Sequence, residues 1–124
     1  MRSIPSILVI DDNPEALDTL ASLLTVLGTK SVCQAKSAEE ALEILKTQAF
    51  TVIISDYRLE GMDGVQFLEQ LRGQGNQTPV LLLSGAPEKA AVIRANRQGK
   101  VDFFGKPFQM SELVGAVERL ADAA

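Results

Sequence analysis

The sequence predicts an α/β fold in which a parallel sheet is covered by helices on both faces. Three observations carry that expectation. The apolar runs Ile7-Leu8-Val9-Ile10, Val52-Ile53-Ile54 and Val80-Leu81-Leu82-Leu83 have strand length and no polar interruption, as strands buried on both faces require. Segments with helical apolar spacing separate them. Strand and helix alternate from end to end, the order demanded by parallel strands joined through right-handed crossovers. The 124 residues suit one domain spanning positions 1–124, and they suffice to bury a core without disulfide or metal staples.

The elements follow in order. After the first strand, Asn13 and Pro14 open a helix, with Asn as N-cap and Pro at the first helical position, where its missing N–H costs nothing. Ala16, Leu20, Leu23 and Leu27 recur at the spacing of one buried face, and Gly28 supplies the left-handed residue that closes the helix. The second strand, Ser31 to Ala35, is mixed in polarity. So is the fifth, Val101 to Phe104, and mixed strands fit sheet edges. Ser37-Ala38-Glu39-Glu40 has the pattern of a capping box and starts a second helix that turns Ala38, Ala41, Leu42 and Leu45 inward. A third helix follows Asp63, with Val65, Leu68 and Leu71 on one side and Gly73 and Gly75 after its end. Pro87 to Gln98 forms a fourth, closed by Gly99. Its apolar face, Ala90 and Ile93, is thin, and its Lys89, Arg94 and Arg97, with Lys100 beyond, make a solvated face that can also dock a partner. The last helix uses Leu113, Val117 and Leu120. With the three apolar runs central, the strand order is 2-1-3-4-5, a flavodoxin-like three-layer α-β-α sandwich.

Composition narrows the chemistry. A hydrophobic fraction of 46% with 23% charged residues excludes a disordered chain. A net charge of −4 gives a summed field that favours neither nucleic acid nor anionic membrane, so neither is an expected direct partner. The absence of His removes His-based triads, His general bases and His-ligated zinc. Cys33, the single cysteine, has no partner for an internal disulfide. It is read as a small apolar residue in a reducing, cytoplasmic setting. No apolar run approaches the ~18 residues of a membrane span. Met1 to Pro5 lack the apolar region and cleavage site of a secretory leader.

In sheets of this order ligands bind beyond the carboxyl ends of the strands. Asp11 and Asp12 follow the first run, Asp56 the third, Ser84 the fourth, and Lys106-Pro107 the fifth. Three carboxylates at ~5 Å spacing repel by about 3 kcal/mol per pair at an effective dielectric near 20. A divalent cation relieves that repulsion, and an all-oxygen ligand set selects a hard ion, of which Mg²⁺ is the abundant choice. A carboxylate beside such an ion can attack a phosphoryl group, with Lys106 and Ser84 stabilising charge on the transferring oxygens.

These residues, together with Gly61-Met62-Asp63-Gly64, make the chain resemble the CheY-like receiver domain of two-component response regulators over essentially its whole length. The resemblance implies that Asp56 accepts a phosphoryl group from a histidine kinase or histidine phosphotransfer protein. It implies that Asp11, Asp12, Asp56 and the backbone carbonyl of Arg58 hold Mg²⁺. It assigns Ser84 and Lys106 to the phosphoryl group, and a rotamer switch to Phe103 in concert with Ser84. It further implies that the domain catalyses only its own phosphorylation and dephosphorylation, and that the fourth helix, fifth strand and fifth helix meet an output partner or a second copy. The chain departs from the pattern at bulky Arg58, at Leu59-Glu60 in place of the common Met-Pro, and at Phe103, which lacks the frequent Tyr hydroxyl.

Three other functions compete. A Mg²⁺-dependent phosphohydrolase with an Asp nucleophile would want a second Asp where Arg58 stands. A flavodoxin would need a hydroxyl- and glycine-rich loop where Asp11-Asp12-Asn13-Pro14 stands. A receiver-like binding module that takes no phosphate would have no use for all five elements. An enzyme acting on an external metabolite is not expected.

Overall fold

The computed structural model describes residues 4–123; the reading of a missing leader falls partly on residues 1–3, which lie outside the described residues, as does Ala124. Ten elements alternate along the chain: β1 (Ser6–Ile10), α1 (Pro14–Val26), β2 (Ser31–Ala35), α2 (Ala38–Leu45), β3 (Val52–Asp56), α3 (Gly64–Gly73), β4 (Val80–Ser84), α4 (Lys89–Gln98), β5 (Val101–Gly105) and α5 (Met110–Ala123). The strands form one parallel sheet in the order β2-β1-β3-β4-β5, as the apolar runs predict. Among the described residues no helix is long and apolar enough to cross a membrane.

Side-chain alternation divides the core. Leu8, Ile10, Ile53, Val80 and Leu82 face α2, α3 and α4, whereas Ile7, Val9, Val52, Ile54, Leu81 and Leu83 face α1 and α5. Both faces of β1, β3 and β4 are therefore dry, which is why these strands read as unbroken apolar runs. Border strand β5 is half-wet instead. Asp102 and Gly105 are exposed, while Phe103 and Phe104 turn to opposite faces of the sheet.

The helix starts follow the expected caps. Asn13 accepts from the N–H groups of Glu15 and Ala16, and Asp63 and Gln66 complete a reciprocal capping box. At α2 the box is displaced by one residue: Ser37 accepts from Glu40 N–H, but the Glu40 carboxylate accepts from Lys36 N–H. Gly28, at φ 116°, closes α1 as the sequence indicates.

Three helix readings need correction. In α1 the buried residues are Leu17, Ala21 and Leu24, whereas Ala16 is exposed and Leu23 is 38% exposed. Two stripes with the same helical spacing run along this helix, and the one turned to the sheet lies one residue on from the expected one. In α4 the buried residues are Ala91 and Ala95, while Ala90 and Ile93 face outward and the helix starts at Lys89 rather than Pro87. Gly73 is the last residue of α3, and the turn falls instead on Gly75, at φ 83°.

Arg72, in the last turn of α3, is buried and faces backbone carbonyls only. Nη1 donates to Thr78 at 2.8 Å and Asn76 at 3.0 Å, Nη2 to Gly99 at 3.0 Å and Lys100 at 3.1 Å, and Nε also reaches Gly99 at 3.3 Å. Burial pushes its pKa below the ordinary guanidinium range. The acceptors lie on the α3–β4 and α4–β5 connections, so one side chain ties two loops together at the end of the sheet away from the carboxylates.

Candidate functional site

The carboxyl ends of β1, β3 and β4 share one edge because the parallel register sets Ile10 beside Ser55 and Asp56 beside Leu83. Asp56 and Ser84 are the final residues of their strands rather than loop residues beyond them, so their backbones are held by the sheet ladder. Asp11 follows β1 directly and donates its N–H to Ala35 O at 3.2 Å. Asp11, Asp12 and Asp56 each offer a carboxylate oxygen, and these atoms lie within 4.8 Å of one another.

Each acid is held differently. The Asp11 carboxylate accepts from Asn13 N–H at 3.0 Å, and Asp12 accepts from Glu60 N–H at 3.1 Å, which fastens the β3–α3 loop to the acidic pair. Lys106 reaches across from the end of β5 and donates to Asp56 Oδ1 at 2.5 Å, the lysine side chain 40% and the Asp side chain 16% exposed. Burial raises the Asp11 pKa above the ordinary carboxylate value. The Asn13 hydrogen bond and Lys106 oppose the rise, and the charges of Asp56 and Asp12 reinforce it. One lysine therefore offsets part of the repulsion among three acids. With three oxygen donors and no nitrogen or sulfur, the cluster is chemically suited to a hard divalent cation.

Ser84 is buried, and its carbonyl accepts from Lys106 N–H at 2.9 Å, so the lysine's backbone is fixed to the end of β4. The Lys106–Pro107 peptide is cis. Arg58 is exposed, and its guanidinium sits 5.8 Å from the centre of the Tyr57 ring. Phe103 is half-buried in the α3–α4 side of the core, 6.2 Å from Tyr57 ring to ring.

The structure thus brings Asp11, Asp12, Asp56 and Lys106 together, with Ser84 at the same edge and both Arg58 and Phe103 against Tyr57. Tyr57 is passed over by sequence reasoning, and Gly64 enters it only as part of Gly61-Met62-Asp63-Gly64, without the role its contacts give it. Gly64 donates to Tyr57 O at 2.7 Å, closing the loop behind Asp56. A Cβ on Gly64 would stand 2.8 Å from Leu82 Cδ2 and 3.2 Å from Asp56 O. The position of Gly64, first in a helix behind the N-cap Asp63, is the sequence signal for that close approach.

An apolar cleft of about 500 Å³ opens beside this edge between α1 and the start of α5. Leu20, Leu23, Phe108 and Met110 line it together with Asp11 and Lys106. The displaced stripe of α1 is the wall of this cleft.

Residues 7–118 match the response regulator receiver domain family. The response regulator protein TodT of Pseudomonas putida is 34% identical over 111 residues, covering 90% of this chain and 48% of TodT. This chain thus spans about half the length of that relative. The Francisella response regulator 1452 receiver domain superposes with a TM-score of 0.85 at 29% identity, covering 96% of this chain and 98% of that one. The receiver domain of sensor histidine kinase PA1611 from Pseudomonas aeruginosa PAO1, solved with magnesium in its active-site cleft, superposes with a TM-score of 0.82 at 25% identity, covering 95% and 98%.

This chain belongs to the response regulator receiver domain family, with the CheY-like, flavodoxin-like fold. Receiver domains are phosphoacceptor modules of two-component signalling rather than enzymes that turn over metabolites. The phosphohydrolase and flavodoxin alternatives are not favoured.

Proposed function

We propose that residues 1–124 form one receiver domain in which Asp56 is the phosphoacceptor. The observation that carries this reading is the 2.5 Å contact between Lys106 Nζ and Asp56 Oδ1 inside a cluster of three carboxylates. In the proposed step an Asp56 oxygen forms a bond to phosphorus as the donor's bond to phosphorus breaks, leaving an acyl phosphate on the side chain. Lys106 then exchanges its carboxylate oxygen for a phosphoryl oxygen. Ser84, at the end of β4, donates its hydroxyl to another. Each charge-assisted bond contributes about 1.5–3 kcal/mol, so both groups are needed to approach the ~5.5 kcal/mol of a full two-state switch.

Asp11, Asp12, Asp56 and the Arg58 carbonyl are the proposed holders of Mg²⁺, in keeping with their oxygen-only chemistry and with the magnesium in the PA1611 receiver. When bound, that ion supplies positive charge against the phosphoryl oxygens. Phosphorylation and dephosphorylation are the domain's own reactions in this reading. The donor is a histidine kinase or a histidine phosphotransfer protein. The apolar cleft beside Lys106 offers that donor a footing next to Asp56. Ser84 and Phe103 carry the change to the face made by α4, β5 and α5, where an output partner or a second copy docks.

Incubation with acetyl phosphate and Mg²⁺ followed by intact-mass measurement tests the assignment. A phosphoryl adduct that disappears in Asp56→Asn is the expected result; an adduct that survives the substitution overturns it.

A further inference from the structure

Border strand β5 is laddered to β4 alone, and its own sequence fixes its register weakly. Phe103 is half-buried on the α3–α4 side of the sheet and Phe104 on the α1–α5 side. Sliding Val101–Gly105 by one residue in either direction still puts one phenylalanine on each side, because a strand alternates with period two and the two rings are adjacent. The largest apolar side chains of the strand therefore do not distinguish neighbouring registers. Within the strand only half-buried Val101 and exposed Asp102 do. The register nevertheless decides the site. Lys106 follows β5 directly, its N–H donating to Ser84 O at 2.9 Å and its Nζ to Asp56 Oδ1 at 2.5 Å. A slip of one residue would carry Lys106 about 3.3 Å along β4 and turn its side chain to the other face. Either change breaks the contact with Asp56.

At the opposite end of the strand the restraint comes from α3. Arg72 is buried, and its five N–H donors meet four backbone carbonyls. Asn76 and Thr78 lie on the connection that leads into β4, Gly99 and Lys100 on the one that leads into β5. Gly99 and Lys100 hold consecutive positive φ values, 78° and 51°, the second uncommon for a residue with a Cβ. Lys100 O also accepts from Val80 N–H at 2.9 Å, where the two strands first pair. We propose that Arg72 is a positioning residue for Lys106: by holding the starts of β4 and β5 at one fixed offset, it selects the register that delivers the Lys106 ammonium to Asp56. The inference rests on the phosphoacceptor reading and adds to that site a residue at the far end of the sheet. Guanidinium geometry suits the task. One planar fork spans both connections, Nη1 on the first and Nη2 with Nε on the second, whereas a single ammonium nitrogen has no such span.

Labelling of the full chain by acetyl phosphate with Mg²⁺, followed by intact mass, reads the effect on the site in a double-mutant cycle with Lys106→Met. Arg72→Met slows labelling of Asp56 by about five- to tenfold when Lys106 is present. In the Lys106→Met background it slows labelling by no more than about twofold, because the residue acts through that lysine. Mg²⁺ affinity, followed by the amide shifts of Asp11 and Asp56, does not fall, since those acids follow β1 and end β3, which Arg72 does not touch. Without metal, residue-resolved amide exchange reads the register directly. Arg72→Met raises exchange at Val80 and Lys106 by about fivefold or more, the factor one lost hydrogen bond supplies. It leaves unchanged the Tyr57 amide, which donates to Leu83 O between β3 and β4. Arg72→Lys falls between wild type and Arg72→Met, and carries the same comparisons where Arg72→Met does not fold. Equal slowing in both Lys106 backgrounds, or exchange raised as much at Tyr57 as at Lys106, shows a residue that only stabilises the fold and overturns the proposal. Variants that leave Lys106 exchange unchanged overturn it too. Absence of any adduct on wild-type Asp56 overturns the phosphoacceptor reading instead, and the metal-free exchange still decides the anchor.

Discussion

Lys106 Nζ lies 2.5 Å from Asp56 Oδ1, and Lys106 N–H donates to Ser84 O at 2.9 Å. The same residue is thus joined to β3 through its side chain and to β4 through its backbone. It supplies the cation that offsets the acidic cluster. Lys106→Met keeps the aliphatic stem and removes that charge. Because the pair is partly solvated, we expect a stability change of only about 1 kcal/mol or less in the presence of salt. We expect the rate of phosphorylation by acetyl phosphate to fall by about tenfold or more, since one fixed donor to the transferring oxygens is lost. Thermal unfolding and time-resolved intact mass measure the two effects separately.

Asp11 gives the site a pH signature. Its folded pKa lies above its unfolded value, so the folded chain holds that proton more tightly. The resulting stabilisation is fully present below the unfolded value of 3.8 and is lost as pH rises through the higher folded value. In metal-free urea titrations, the difference between wild type and Asp11→Asn should shift against the wild type as pH rises from about 3.8 toward neutrality. Adding Mg²⁺ at neutral pH should reverse that shift, because an ion replaces the proton. A difference independent of pH would contradict burial as the origin of the raised pKa.

Gly64→Ala tests the loop behind Asp56. The added methyl would meet Leu82 Cδ2 at 2.8 Å and the backbone of Asp56 and Tyr57 at 3.2 Å. Backbone cannot yield as a side-chain tip can, so the α3 start must move away from β3. Overpacking of this kind costs about 1–3 kcal/mol. Denaturant unfolding should report that loss, and acetyl phosphate labelling should slow because Asp56 shares the displaced backbone.

Thr29, buried at the α1–β2 turn, has a hydroxyl with no hydrogen-bond partner among the described residues. A buried unmet hydroxyl is a net cost, and an isosteric methyl removes it. Thr29→Val should stabilise the chain by about 1 kcal/mol, several degrees in Tm for a domain of this size, with phosphorylation kinetics unchanged. A drop in Tm would contradict it.

Much of the site is legible in the sequence because its residues punctuate apolar runs. Asp11, Asp56 and Ser84 stand where an unbroken strand pattern stops, and parallel topology sends those stops to one edge. The helix faces are less legible. In α1 the stripes through Ala16 and Leu23 and through Leu17 and Leu24 have the same spacing, and only docking against the sheet decides which is covered. In α4 the small buried residues Ala91 and Ala95 carry less hydrophobic signal than exposed Ile93. Arg72 reads as a surface charge suited to a helix carboxyl end, since nothing local announces the carbonyls it meets from Asn76, Thr78, Gly99 and Lys100. Tyr57 and Gly64 owe their importance to contacts between β3, α3 and β5 that no periodicity encodes.

The half-wet border strand has a bearing on self-association. Val101–Gly105 exposes one side of its ladder, and two phenylalanines sit in its five residues. Asp102 is the one charge there, and an inbound strand from another molecule would have to desolvate it. A neutral β-branched residue in its place would remove the one charge on this border strand and lower the barrier to pairing with a strand of another molecule.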